Sequence, residues 1–117
     1  MKNLAFVLLL LPVPAWADDP TVESARAQKT GNEWGFSVTL SHPDSGWDHY
    51  ADGWEVLDAD GNRLGYRLLA HPHEHEQPFT RSLGNVTIAA DTKTVFVRAH
   101  CLVDGWAKQT FKATLDQ

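Results

Sequence analysis

Hydrophobic and polar residues alternate one by one along much of this chain. After residue 17, no segment sustains the three-to-four spacing of a helix. The clearest run is residues 33–41, where Trp34, Phe36, Val38 and Leu40 fall on one side and Glu33, Ser37, Thr39 and Ser41 on the other. Carrying the same phase one step further puts His42 on the apolar side, at the strand's end. Residues 94–103 repeat the pattern, with Val95, Val97, Ala99, Cys101 and Val103 sharing a face. Weaker extended runs occupy 22–29, 53–58 (Trp54 and Val56 inward), 63–70 (Leu64, Tyr66 and Leu68 on one side), 79–83, 86–88 and 107–115. Turn residues separate them: Thr30-Gly31-Asn32, Asp58-Ala59-Asp60-Gly61-Asn62 and Asp104-Gly105. Residues 43–52 read as a connection with room for one helical turn. About seven short strands in about 100 residues predict an all-β, immunoglobulin-like or fibronectin-type antiparallel β-sandwich. Trp34 or Trp54 would be its large central residue, and a small closed barrel is the competing architecture.

The first seventeen residues break the pattern. Lys2 precedes an apolar run from Leu4 to Leu11, too short to span a bilayer, and Pro12 and Pro14 end it. Ala15-Trp16-Ala17 offers small residues where a signal peptidase reads, so residues 1–17 are expected to be a signal peptide and 18–117 a single domain. No cysteine follows the apolar run and no second apolar stretch could span a membrane, so no membrane anchor is expected after cleavage, and the destination is periplasmic or secreted. Ten basic residues face fifteen acidic ones, one fewer basic without Lys2, a balance that excludes a nucleic-acid partner. Cys101 is the only cysteine, so no internal disulfide can form. Its phase among Val95, Val97 and Ala99 makes it a small core residue whose buried thiol would be inert.

Chemistry concentrates in His71-Pro72-His73-Glu74-His75-Glu76. Residues two apart on a strand project to one side, so His71, His73 and His75 could converge, with Glu74 or Glu76 adding an oxygen donor. Pro72 places the segment on an edge strand or loop. Nitrogen donors of this kind favour Cu(II) or Zn(II) over Mg(II) or Ca(II), and the competing reading is a solvated polar loop. His49, among Asp44, Asp48 and Asp52, is a further ligand candidate, although it and His100 each read more simply as hydrogen-bonded surface histidines. Trp47 is expected to cap one open end of the sandwich. If exposed instead, Trp47 and Tyr50 would form a contact patch for a ligand or envelope protein. Arg81, on the strand after the histidines, would bind an anion or pair with Glu76 or Glu74. Asp58-Ala59-Asp60-Gly61-Asn62 opens like a calcium loop but lacks the closing glutamate, so it reads as a hairpin turn. No Gly-x-Ser-x-Gly elbow activates a serine, and no enzyme is expected.

Two resemblances bear on this reading. Thr94-Val95-Phe96-Val97-Arg98-Ala99 followed by Asp104-Gly105-Trp106 resembles the late strand and turn of fibronectin-type domains, over the last quarter of the chain. The segments from Trp47 to Val56, His71 to His73 and Glu76 to Ser82 resemble a family of small exported bacterial proteins of unassigned function. That likeness spans most of the chain after residue 17. It implies periplasmic residence and one domain, and it brings no activity or catalytic residue with it. The expected function is therefore a non-catalytic metal-binding protein, or alternatively an interaction module without metal.

Overall fold

A computed structural model describes residues 19–116, so the expected signal peptide lies outside the described residues. The described chain is all β: β1 (Thr21–Thr30), β2 (Glu33–Ser41), β3 (Ala51–Leu57), β4 (Arg63–Leu68), β5 (Phe79–Val86), β6 (Thr94–Cys101), β7 (Gly105–Trp106) and β8 (Phe111–Thr114). They form two antiparallel sheets, one ordered β1-β2-β5 and the other β4-β3-β6-β7, with β8 also paired to β6.

The inner faces of both sheets share one core. From the first sheet come Trp34, Phe36, Val38, Leu40, Phe79 and Val86; from the second, Trp54, Val56, Val95, Val97, Ala99 and Ala113. β2 and β6 alternate buried and partly exposed residues without a break, as their sequence pattern requires. Burying these apolar side chains is the main stabilising term in such a domain.

Some expectations hold and several are corrected. Residues 79–83 and 86–88 are not two pieces, because β5 runs unbroken from Phe79 to Val86. The expected last strand, 107–115, is shortened to β8, and the short β7 precedes it at the expected Asp104-Gly105 turn, which makes eight strands among the described residues. β6 ends at Cys101 in a turn, and Val103 is left 62% exposed. The 43–50 connection contains no helical turn, and a Gly46–His49 β-bridge closes it. Tyr66 and Leu68 point to the outer surface of β4, an edge strand. Gly65 takes the inner position, where a Cβ would come within 2.9 Å of Leu83. The calcium-like loop is a hairpin turn: Asp58 Oδ1 accepts the backbone N–H groups of Asp60 and Asn62, which hold its carboxyl below the usual range, Asn62 foremost.

On the outer face of the second sheet Glu55 is buried between Arg63 and Arg98, accepting bonds of 2.9 and 2.7 Å from the two guanidinium groups. Both guanidinium groups also stack near Trp106. Tyr66 lies across Gly53, where an added Cβ would fall 2.5 Å from its hydroxyl and 3.0 Å from its ring. Gly53→Ala is expected to displace the ring and cost about 1–3 kcal/mol, as overpacking does. Urea denaturation checks this, and the cost should largely vanish in a Tyr66→Ala background.

Candidate metal centre

Strand register gathers the chemistry at one end of the molecule. β2 ends beside the start of β5, and β3 starts opposite the ends of β4 and β6: Leu40 faces Phe79, Gly53 faces Leu68, and Ala51 faces Cys101. The 42–50, 69–78 and 102–104 connections therefore share that end.

Three donors converge there. One ligand atom from each of His42, His49 and Cys101 lies within 4.8 Å of the others. Bonds of about 2.0 Å to nitrogen and about 2.3 Å to sulfur put tetrahedral donors around one ion about 3.3–3.5 Å apart, so a pair at the full 4.8 Å would draw in by more than about 1 Å on binding. His42 continues the inward face of β2 and is 3% exposed; Cys101 continues that of β6 and is fully buried. His49 is held by the Gly46–His49 bridge, through its N–H to Gly46 O and its carbonyl to the Ser45 N–H. Its ring meets that of His42 edge to face, with centroids 4.9 Å apart.

Asp44 orients the cluster from behind. Its Oδ1 accepts from His42 Nδ1 at 2.6 Å and from the Ala51 N–H at 3.0 Å, and its Oδ2 accepts the His73 N–H at 2.8 Å. With Nδ1–H donating to the carboxylate, the neutral ring carries its lone pair on Nε2, and that atom is buried with no hydrogen-bond partner. A carboxylate behind a histidine whose other nitrogen is bare is the arrangement that orients metal-bound imidazoles. A second carboxylate stands at the edge: Asp104 Oδ2 is 3.7 Å from His49 Nε2 and accepts from the Cys101 thiol at 3.7 Å. Burial pushes the Cys101 thiol up, a shift that hydrogen bonding to the Asp104 and Val103 backbone partly opposes. Cys101 is the buried core residue its phase predicts, and the same position brings its sulfur close to two imidazoles.

No protein-family model matches the chain. It is 43% identical over 91 residues to a protein of Halomicrobium mukohataei described as "Putative lipoprotein". That match takes in 78% of this chain but 42% of that protein, so the chain spans less than half of the relative's length. Two solved structures share the fold. A hypothetical protein from Pyrococcus horikoshii OT3 superposes with TM-score 0.56 at 13% identity, covering 88% of this chain and 93% of that one. A superoxide reductase in the oxidised state superposes with TM-score 0.52 at 17% identity, covering 88% and 94%.

Of the residues singled out in the sequence, His49 joins the cluster. His71, His73, His75, Glu74 and Glu76 lie in a loop and enter no three-donor grouping among the described residues. His75 and Glu74 are exposed, and Glu76 pairs with Arg81 at 3.2 Å. His73 is buried, its ring stacked on Phe79 at 3.8 Å and tilted against His71 at 4.5 Å. His100 is paired with Asp52 on the outer face. Trp47 does not cap the sandwich: it is 66% exposed, in edge-to-face contact with a partly buried Tyr50. Neither His42 nor Cys101 was among the expected ligands. Their signal is phase, because each continues an apolar strand face to the same end.

His73 adds a pH dependence. Burial lowers its pKa below 6.5, with the Arg81 and His71 charges acting the same way. A depressed histidine contributes stability that is fully present above the unfolded value and is lost as pH falls through the folded one. In chelator, Tm is expected to fall between pH 7.5 and 5. His73→Phe, which keeps the stack on Phe79, should flatten that slope in a thermal melt.

Proposed function

We propose that this chain is an exported, non-catalytic protein that holds a borderline transition ion at His42, His49 and Cys101, with Asp104 beside them. The observation that carries the reading is the buried, partnerless Nε2 of His42, aligned by Asp44 and within reach of a thiol and a second imidazole. Leaving a buried nitrogen unpaired costs about 1–3 kcal/mol, a cost that a bound ion removes. Two nitrogens and a sulfur suit Cu or Zn, or Fe(II), over hard cations. A lone cysteine has no internal disulfide partner, so an oxidising compartment leaves this thiol available. Export, and residence in the envelope or periplasm, is supported by the relative described as a lipoprotein and by the leader-like first seventeen residues. The immunoglobulin-like assignment is supported by the division of β1, β2 and β5 from the remaining strands.

Titration of the purified chain with Zn(II), Cu(II) and Co(II) tests the proposal. One tightly held equivalent is expected, with a thiolate-to-metal band for Co(II) or Cu(II). Binding unchanged in a Cys101→Ala, His49→Ala double variant would refute the assignment.

The fold likeness to a superoxide reductase favours a second reading, in which these residues would hold a redox-active ion able to give one electron to superoxide, the product leaving as hydrogen peroxide after uptake of two protons and an external electron donor restoring the reduced ion. Superoxide consumption by iron- or copper-loaded protein, absent with Zn(II), would replace the non-catalytic reading.

A further inference from the structure

The three-donor centre is nearly closed to solvent, since His42 and Cys101 are buried and only the side chain of His49 is partly open, at 21%. The histidine loop lies directly beside it. Asp44 accepts from His42 with one oxygen and from the His73 N–H with the other. Gln77 ties the two segments again, accepting the His42 N–H at 2.9 Å and donating to His73 O at 2.9 Å. Glu74 reaches over Gly46, its Oε2 3.6 Å from where a Cβ would stand.

Within that loop His73 is 5% exposed, yet neither of its ring nitrogens has a hydrogen-bond partner. Nδ1 lies 3.9 Å from Asp44 Oδ2, beyond hydrogen-bond range. Phe79 covers one face of the ring, and His71 lies against it at the exposed side of the loop. His71 donates from Nδ1 to the Pro72 carbonyl at 3.0 Å, which leaves the lone pair of a neutral ring on Nε2. The one cation of this neighbourhood shown near His73, Arg81, is paired with Glu76. Two adjacent imidazoles thus keep unused lone pairs, one at the surface and one inside, with the Asp44 carboxylate between the inner one and the buried centre.

We propose that His71 and His73 form a second, weaker transition-metal site that captures the ion at the surface and passes it inward to His42, His49 and Cys101. This rests on the metal-binding reading above. Two imidazoles hold an ion loosely enough to release it, whereas two imidazoles with a thiolate retain it. An ion bound first to His71 and His73 waits beside the Asp44 carboxylate while its remaining waters exchange.

Two measurements test the proposal. The Cys101→Ala, His49→Ala double variant, checked for its β-sheet circular dichroism, should still bind one weak equivalent of Cu(II) or Zn(II), and adding His71→Ala should abolish it. In the otherwise native chain, exposed His71→Ala should leave affinity at the thiolate centre unchanged. It should slow the appearance of the Co(II)–thiolate band by about tenfold or more, the lower end of what local concentration brings to an on-rate. Loading at the native rate, or no weak equivalent in the folded double variant, overturns the proposal. Absence of any thiolate band in the native chain, with the weak His71-dependent equivalent intact, would instead refute the three-donor centre.

Discussion

Asp44→Ala is expected to lower the stability of the metal-free chain by about 3–5 kcal/mol, because it strands several buried donors at about 1–3 kcal/mol each. Those donors are His42 Nδ1–H, the Ala51 N–H and the His73 N–H, and one carboxylate with no exposed side-chain surface satisfies all three. A domain of this size has about 5–15 kcal/mol in total, so the variant would lie near its unfolding threshold. Asp44→Asn separates the two roles of the residue. An amide oxygen in place of Oδ1 keeps the His42 and Ala51 bonds, while the NH₂ group then faces the His73 N–H, a clash of two donors. That variant should lose about 1–3 kcal/mol in urea denaturation, one unmade buried bond. Its metal affinity should fall about 10–100-fold, the usual effect of losing an outer-shell carboxylate. Native stability for Asp44→Ala would mean that water replaces the carboxylate and that this end of the fold is wetter than its packing indicates.

Strands buried on one side were legible because their pattern is a direct imprint of the pleat. β2 follows its alternation through all nine residues, and the same phase correctly carried His42 inside. Edge strands imprint less. In β4 the inner position falls to Gly65, which has no side chain to signal, while Tyr66 finds its packing on the outer surface against Gly53 and Trp106. Sequence density and spatial convergence also diverged at the histidines. Three imidazoles fall within five positions, yet the loop does not gather all three: His75 faces solvent, while His71 lies at the surface against a buried His73 that stacks on Phe79. The three-donor grouping joins residues 42, 49 and 101, which the pairing of β3 with β6 and the closure of the 42–50 connection bring together. Antiparallel register is a non-local property, and no window of sequence contains it.

Cys101→Ser is expected to weaken Zn(II) or Co(II) binding by more than about 100-fold, beyond what loss of an outer-shell partner brings. It should also change the pH dependence of binding. The buried thiol sits above its ordinary value of 9.0, so at neutral pH it carries its proton, and metal capture must expel it. Apparent affinity should then rise about tenfold per pH unit across the neutral range, one proton released per ion bound. Serine cannot supply a thiolate, so its variant should lose that slope along with the charge-transfer band. Asp104, 3.7 Å from the sulfur, is the nearest carboxylate shown to receive the departing proton on its way to solvent. Asp104→Asn should therefore slow metal capture more than it lowers affinity, a difference that stopped-flow and equilibrium titration read separately. A native chain whose affinity is flat between pH 7 and 9 would show that the sulfur is not a ligand, and the donor set would reduce to its imidazoles.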